Sequence, residues 1–271
     1  MTTTAEFVIH GDTHLALDVH SASPGAPVVL YLHGGAWVVG SRADHQERLA
    51  GLVAQGITVV SADYRLVSET PYPGQRDDIE AAVDWIIREG LAPDSRHIVI
   101  MGASAGAHLG ALVCFTSDFQ FAGFVGLFGR YDLSSSVDHL RPPAGLTIPD
   151  EIIANVLPKG LESPRARAAA LAGVPQERLT EEALLALSPV SYLAPTTPPL
   201  LLLHGLSDAL AHHDHAQTFA ERARNIGIRC EVVLIPEANH EDPLFDDPRY
   251  LSQIARFVER VTSTSEREES K

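Results

Sequence analysis

Gly102-Ala103-Ser104-Ala105-Gly106 sets a serine between two glycines, directly after the apolar run 98–101 and before a segment of small residues. A serine on a sharp strand-to-helix turn projects its hydroxyl above the sheet, and the flanking glycines relieve crowding there. The chemistry this offers is nucleophilic attack on a carbonyl. It needs a base for the hydroxyl proton and fixed donors for the charge that builds on oxygen. His33-Gly34-Gly35-Ala36-Trp37 could supply such donors, because adjacent glycines let main chain approach a substrate with no Cβ in the way. The expected oxyanion hole comprises Gly34, Gly35 and Ala105, the last directly after the nucleophile. His33 reads as a structural hydrogen-bonder.

Two further segments complete the set. Asp208 lies in His204-Gly205-Leu206-Ser207-Asp208, after four consecutive leucines, where a carboxylate can orient an imidazole and stabilise its cation. The plainer reading of Asp208 is a turn or a helix cap. His240 lies in Pro236-Glu237-Ala238-Asn239-His240, in a loop that would reach the same face as Ser104. One histidine among 13 is an ordinary loop residue when taken alone. Ser104, Asp208 and His240 are the candidate catalytic residues because all their loops fall at strand carboxyl ends. Asp242 is a second, lower-ranked candidate acid. His212 and His215 would share a helix face as metal ligands, but nothing supplies an outer shell to orient them. A solvated helix start is the better reading, and no metal is expected.

The elements that must position these residues read as follows. Segments 5–10 and 14–20 form a hairpin about Gly11-Asp12. Strands are expected at 28–32, 57–60, 98–101, 121–128, 200–203 and 230–235. Helices are expected at 43–55, 75–89, 105–115, 213–226 and 247–262, and the polar end 263–271 is expected to fray. Alternating strands and helices argue for an α/β fold with a mostly parallel central sheet flanked by helices. Residues 133–195 contain no good strand. Short helices near 149–157, 163–171 and 176–186 read as a helical cap inserted over the ligand crevice of a single domain spanning 1–271. Ala36, Trp37, Ile152, Ile153 and Val156 are the candidate pocket residues. Packing alone would account equally well for Trp37 and for the cap residues.

Composition narrows the function. The 20 basic against 35 acidic residues give a formal net charge of −15, a poor match for nucleic acid or an anionic membrane. No apolar run is long enough to span a bilayer, and the first residues lack the basic start and apolar core of a secretory signal. Cys114 and Cys230 sit in apolar segments and read as reduced, buried thiols. A cytoplasmic setting is therefore expected.

These motifs together resemble the α/β-hydrolase superfamily, in particular the His-Gly-Gly-x-Trp carboxylesterases of hormone-sensitive-lipase and BD-FAE type, with arylformamidases close by. The resemblance extends to Asp63-Tyr64-Arg65-Leu66, Pro71-Tyr72-Pro73, Asp77-Asp78 through Trp85, and Ser188-Pro189. The order Ser104, Asp208, His240 is the triad order of that fold. Ala36 stands where hormone-sensitive-lipase relatives usually have a third glycine, which favours the His-Gly-Gly-x-Trp branch. The resemblance implies a serine carboxylesterase acting on small to medium esters through an acyl-enzyme, with no cofactor. Arylformamide, other amide or carbamate hydrolysis on the same triad is the nearer alternative, and a non-catalytic binding protein the more distant one. The implied partner is a small-molecule ester or amide, and the fold leaves room for a homodimer.

Overall fold

The computed structural model describes residues 2–134 and 157–269. Strands β1 (Thr2–His10) and β2 (Thr13–His20) form the expected hairpin. The chain then alternates β3 (Val28–Leu32), α1 (Gln46–Ala54), β4 (Thr58–Ala62), α2 (Gly74–Arg88), β5 (Ile98–Ala103), α3 (Ala105–Thr116) and β6 (Gly123–Leu127). Short helices α4 (Pro164–Leu171) and α5 (Glu181–Ala186) precede β7 (Leu200–Gly205), α6 (Asp214–Asn225), β8 (Cys230–Ile235) and α7 (Pro248–Glu269). The eight strands make one sheet in the order β1-β2-β4-β3-β5-β6-β7-β8. β2 pairs antiparallel with β4, and all pairs from β4 to β8 are parallel.

The period-2 alternation of a strand explains the layering. Val28, Leu30 and Leu32 of β3 join one apolar cluster with Ile79 and Val83 of α2, Leu109 and Val113 of α3, and Phe219 of α6. Val29 and Tyr31 face the opposite cluster, with Leu49 and Leu52 of α1 and Leu251, Ile254 and Val258 of α7. β3 is therefore buried on both faces, as a continuous apolar run in a parallel sheet requires.

Several boundaries differ from expectation, each for a local reason. α1 begins at Gln46 because Asp44 first closes a turn on the amide of Ser41. The helix expected over 176–186 is split: a tight turn spans Gln176–Arg178, and Thr180 then caps α5 by accepting from the amide of Ala183. Phe128, expected to end β6, has φ 40° and has already left the strand. The end expected to fray is helical to Glu269, where glutamate and arginine favour continuation of a helix anchored by Val258 and Val261. The helix expected near 149–157 lies, but for its last residue, outside the described residues.

Candidate active site

The turn at Ser104 is built by close packing. A Cβ on Gly106 would lie 2.2 Å from the carbonyl oxygen of Leu32, and one on Gly102 would lie 2.3 Å from the carbonyl of Gly106. Only glycines let α3 leave β5 this abruptly. Ser104 itself is held at φ 50°, ψ −111°, a region that costs a non-glycine residue about 1–3 kcal/mol. Its amide donates to the carbonyl of Leu127 (2.9 Å), and its carbonyl accepts from the amide of His108 (3.1 Å). These bonds hold the strained turn between β5, β6 and α3.

The structure brings Ser104, His240 and Asp208 together. Ser104 Oγ lies 2.9 Å from His240 Nε2, and His240 Nδ1 lies 2.8 Å from Asp208 Oδ2. An ionised carboxylate only accepts, so Nδ1 carries the proton and the neutral imidazole leaves Nε2 free to accept from the serine hydroxyl. Asp208 is ionised at neutral pH: burial pushes its pKa up, but hydrogen bonds from His204 and His240 outweigh that and hold it below the usual carboxylate range. The turn reading of Asp208 describes its other oxygen. Oδ1 accepts from the amides of Leu210 (2.9 Å) and Ala211 (2.8 Å), so one side chain both fixes its own loop and orients the imidazole. Asp242 caps a later turn through the amide of Leu244 and takes no part in this chain of contacts.

The loop carrying His240 is braced from below. Asn239 Oδ1 accepts from the amides of Ala209 and His240, tying the Asp208 loop to the His240 loop. Phe128 meets the imidazole edge-on at 4.8 Å, and Arg48 lies over the Phe128 ring. Arg48 is 1% exposed, donates to Asp246 Oδ1 (2.6 Å) and to the hydroxyl of Tyr31 (3.0 Å), and so fastens α1 and β3 to the chain just beyond His240.

Opposite the serine, Gly35 turns the chain at φ 111°, and its carbonyl accepts from Val38 and Val39. Among the described residues nothing accepts from the amides of Gly35 or Ala105. His33 is structural: Nδ1 bonds the carbonyl of Gly34 (2.7 Å) and the ring stacks on Tyr64 at 4.2 Å. Gly34 is buried against the rim, where the carboxylate of Glu241 approaches within 2.6 Å of the place a Cβ would take.

Of the candidate pocket residues, Ala36 is partly exposed beside this corner. Of the two readings of Trp37, pocket wall or loop anchor, its contacts support the anchor. It is 7% exposed and packs edge-on to His108 at 5.1 Å inside the core, so the indole fixes the loop. Ile152, Ile153 and Val156 lie outside the described residues. His212, His213 and Asp214 have donor atoms within 4.8 Å of one another, but these side chains already bond to each other and to Gln217 at the start of α6. Sequence reasoning missed His204, whose Nε2 lies 3.2 Å from Asp208 Oδ2, although it opens the very motif that pointed to the aspartate. It also missed Phe128 and Arg48, which no motif marks.

This sheet order, with a strained serine turn after β5, defines an α/β-hydrolase fold. Solved structures agree. A truncated carbohydrate esterase from gut microbiota superposes with a TM-score of 0.73 at 19% identity, covering 96% of both chains. An esterase/lipase from an uncultured bacterium gives 0.72 at 21% identity, covering 97% of this chain and 85% of its own. The model of the BD-FAE family matches residues 15–223, and the chain belongs to that family. Esterase LipC of Mycobacterium tuberculosis is 29% identical over 257 residues, covering 87% of this chain and 59% of its own length. Isoprenylcysteine alpha-carbonyl methylesterase ICME of Arabidopsis thaliana is 27% identical over 260 residues, covering 89% and 57%. The chain thus spans less than two thirds of these curated relatives. Among the described residues no helix is long and apolar enough to cross a membrane.

Proposed function

We propose that the protein is a serine carboxylesterase that hydrolyses small to medium carboxylic esters through an acyl-enzyme on Ser104. The observation that carries this is the continuous pair of contacts from Ser104 Oγ through His240 to Asp208, at 2.9 and 2.8 Å. His240 Nε2 takes the hydroxyl proton as Ser104 Oγ bonds to the ester carbonyl carbon. Asp208 stabilises the imidazolium that results. The amides of Gly35 and Ala105, beside Gly34, hold the oxyanion. Collapse of the tetrahedral intermediate breaks the ester C–O bond, and the leaving alcohol takes the proton back from His240. Water then attacks the acyl-enzyme by the same route and releases the acid. No step calls on a cofactor. The curated relatives are named as esterases, which favours esters over the formamides that the same geometry could serve.

The test is hydrolysis of 4-nitrophenyl acetate and butyrate beside N-formylkynurenine. The expected result is turnover of the short esters that falls by about four to six orders of magnitude in Ser104→Ala. Equal turnover in wild type and variant would remove Ser104 as nucleophile. Faster cleavage of the formamide would move the activity to the amide class.

A further inference from the structure

The fold pairs its buried Arg48 with Asp246, and the half-buried Arg65 and Arg42 likewise with carboxylates, Arg65 with Asp78 and Arg42 with Asp18 and Asp63. Two arginines near the candidate site break this pattern. Arg130 follows β6 by three residues and, among the described residues, donates only to the carbonyl of Leu210. Arg167, on α4, donates from a single nitrogen to the carbonyls of Leu161 (2.9 Å) and Glu162 (2.8 Å). Neither meets a carboxylate among the described residues, although the chain has 35 acidic residues against 20 basic. Both keep some accessible surface. A guanidinium presents five N–H groups in a planar fork, so most donors of each remain unused.

Their place in the fold gives the vacancy a meaning. The carbonyl of Leu127, three residues before Arg130, accepts from the amide of Ser104, and Phe128 touches His240. The carbonyl that Arg130 holds belongs to Leu210, whose own amide is held by Asp208. Arg130 therefore sits beside the triad on the rim between β6 and β7. Arg167 is near enough to repel it: burial first, and then that repulsion, draw the Arg130 pKa down to about 10 against a smaller opposing pull from the Asp208 carboxylate, so it stays charged at neutral pH. Burial lowers Arg167 in the same direction. His215 also faces Arg130, with no hydrogen-bond partner for its ring among the described residues, and burial followed by Arg130 brings it down to about 4. It is a neutral ring at pH 7. Asp208 attracts Arg130 without bonding to it and offsets part of one charge; two half-buried cations that bond no carboxylate among the described residues are still costly unless an anion joins them.

We propose that Arg130 and Arg167 form a carboxylate-binding subsite beside Ser104, and that the preferred substrates are esters carrying one additional ionised carboxylate. The fork geometry of a guanidinium matches a carboxylate through paired N–H bonds. The net charge of −15 repels multiply charged anions and leaves a singly charged acid as the fitting ligand. The substrate class rests on the esterase reading above, whereas the subsite itself does not.

The experiment compares ester pairs matched in shape and differing in charge. Mono(4-nitrophenyl) glutarate is set against 4-nitrophenyl pentanoate for a carboxylate on the acyl side, and 4-acetoxybenzoate against 4-acetoxybenzamide for one on the alcohol side. The anionic-to-neutral ratio of kcat/KM is measured in wild type, Arg130→Gln, Arg167→Gln and Arg167→Lys. In one of the pairs the ratio is expected to fall at least tenfold in both glutamine variants, mainly through KM, and less in the lysine variant. A ratio unchanged within twofold in both pairs overturns the subsite. Should Arg130→Gln fail to fold by circular dichroism, Arg167→Gln carries the comparison. Calorimetric binding of monomethyl glutarate to Ser104→Ala, with and without Arg167→Gln, separates the two readings. If wild type cleaves none of the esters but binding weakens tenfold with Arg167→Gln, the subsite stands and the esterase reading falls. Binding that is absent, or indifferent to Arg167, overturns the subsite whether or not esters are cleaved.

Discussion

At the scale of single residues, the division of labour within Asp208 makes a sharp prediction. One oxygen faces His240 and the other holds the amides of Leu210 and Ala211. Asp208→Asn retains size but places an amide donor against the proton on Nδ1 or against the two loop amides, whichever way it turns. We expect kcat on 4-nitrophenyl butyrate to drop about 10⁴-fold while the unfolding midpoint moves only slightly, since removing the acid's charge upsets the tautomer before it upsets the fold. A drop of less than tenfold would mean that another group orients the imidazole. The two corner glycines differ in the same concrete way. A methyl on Gly34 meets the flexible end of Glu241, whereas one on Gly35 meets the backbone oxygen of Val39 at 2.0 Å and forces a β-carbon onto φ 111°. Gly35→Ala is expected to cost at least about 2 kcal/mol in urea unfolding and to abolish turnover, with Gly34→Ala the milder in both. Equal effects from the two would contradict the described corner.

At the scale of elements, the site depends on ties between segments far apart in sequence. Arg48 of α1 and Asp246, just past His240, are 198 residues apart and meet at 2.6 Å with Arg48 fully enclosed. Asp246→Ala strands that cation against Phe128 and Tyr31. Breaking one side of a buried pair costs about 3–5 kcal/mol, and the His240 loop should loosen with it. Urea unfolding and hydrogen exchange at residues 239–246 would register both. A stability change under about 1 kcal/mol would show the pair to be ornamental. Such ties also mark the limit of what the chain discloses before it folds. Ser104, Asp208 and His240 stood out as candidates because each sits in a short motif after a clear apolar run, and the fold brings the three side chains into contact. The sheet was legible because 28–32, 98–101 and 200–203 are unbroken apolar segments. Arg48 looked like one more polar residue on a polar helix, and nothing local to Arg130 or Arg167 signals that they bond only carbonyls among the described residues. Partnership across 30 to 200 residues has no periodicity to read. Trp37 was ambiguous for a related reason: an aromatic in a glycine corner fits a pocket or a core equally well until its neighbours are known.

At the scale of the whole molecule, buried histidines set the response to acid. His108 is fully enclosed, its Nε2–H donates to the carbonyl of Leu187, and burial holds its pKa at about 4, against an ordinary 6.5. His33 is lowered in the same direction by burial. A group depressed in the folded state takes up its proton more readily when unfolded. Its stabilising contribution is therefore complete above pH 6.5 and drains away as pH falls towards 4. For His108 alone this amounts to about 3 kcal/mol. Asp208, held below the carboxylate range, adds a further loss at lower pH still. Unfolding free energy measured from pH 7 to 4 should fall steadily, and His108→Gln should flatten part of that slope; a flat wild-type profile would contradict the neutral, buried imidazole. The packing around Gly106 reaches further than stability. Because α3 abuts the carbonyls of Leu32 and His33, the hydroxyl's turn and the glycine corner behave as a single casting with no adjustable gap. A side chain larger than hydrogen at Gly106 would therefore displace the glycine corner together with the serine turn, and neither can be re-cut without the other.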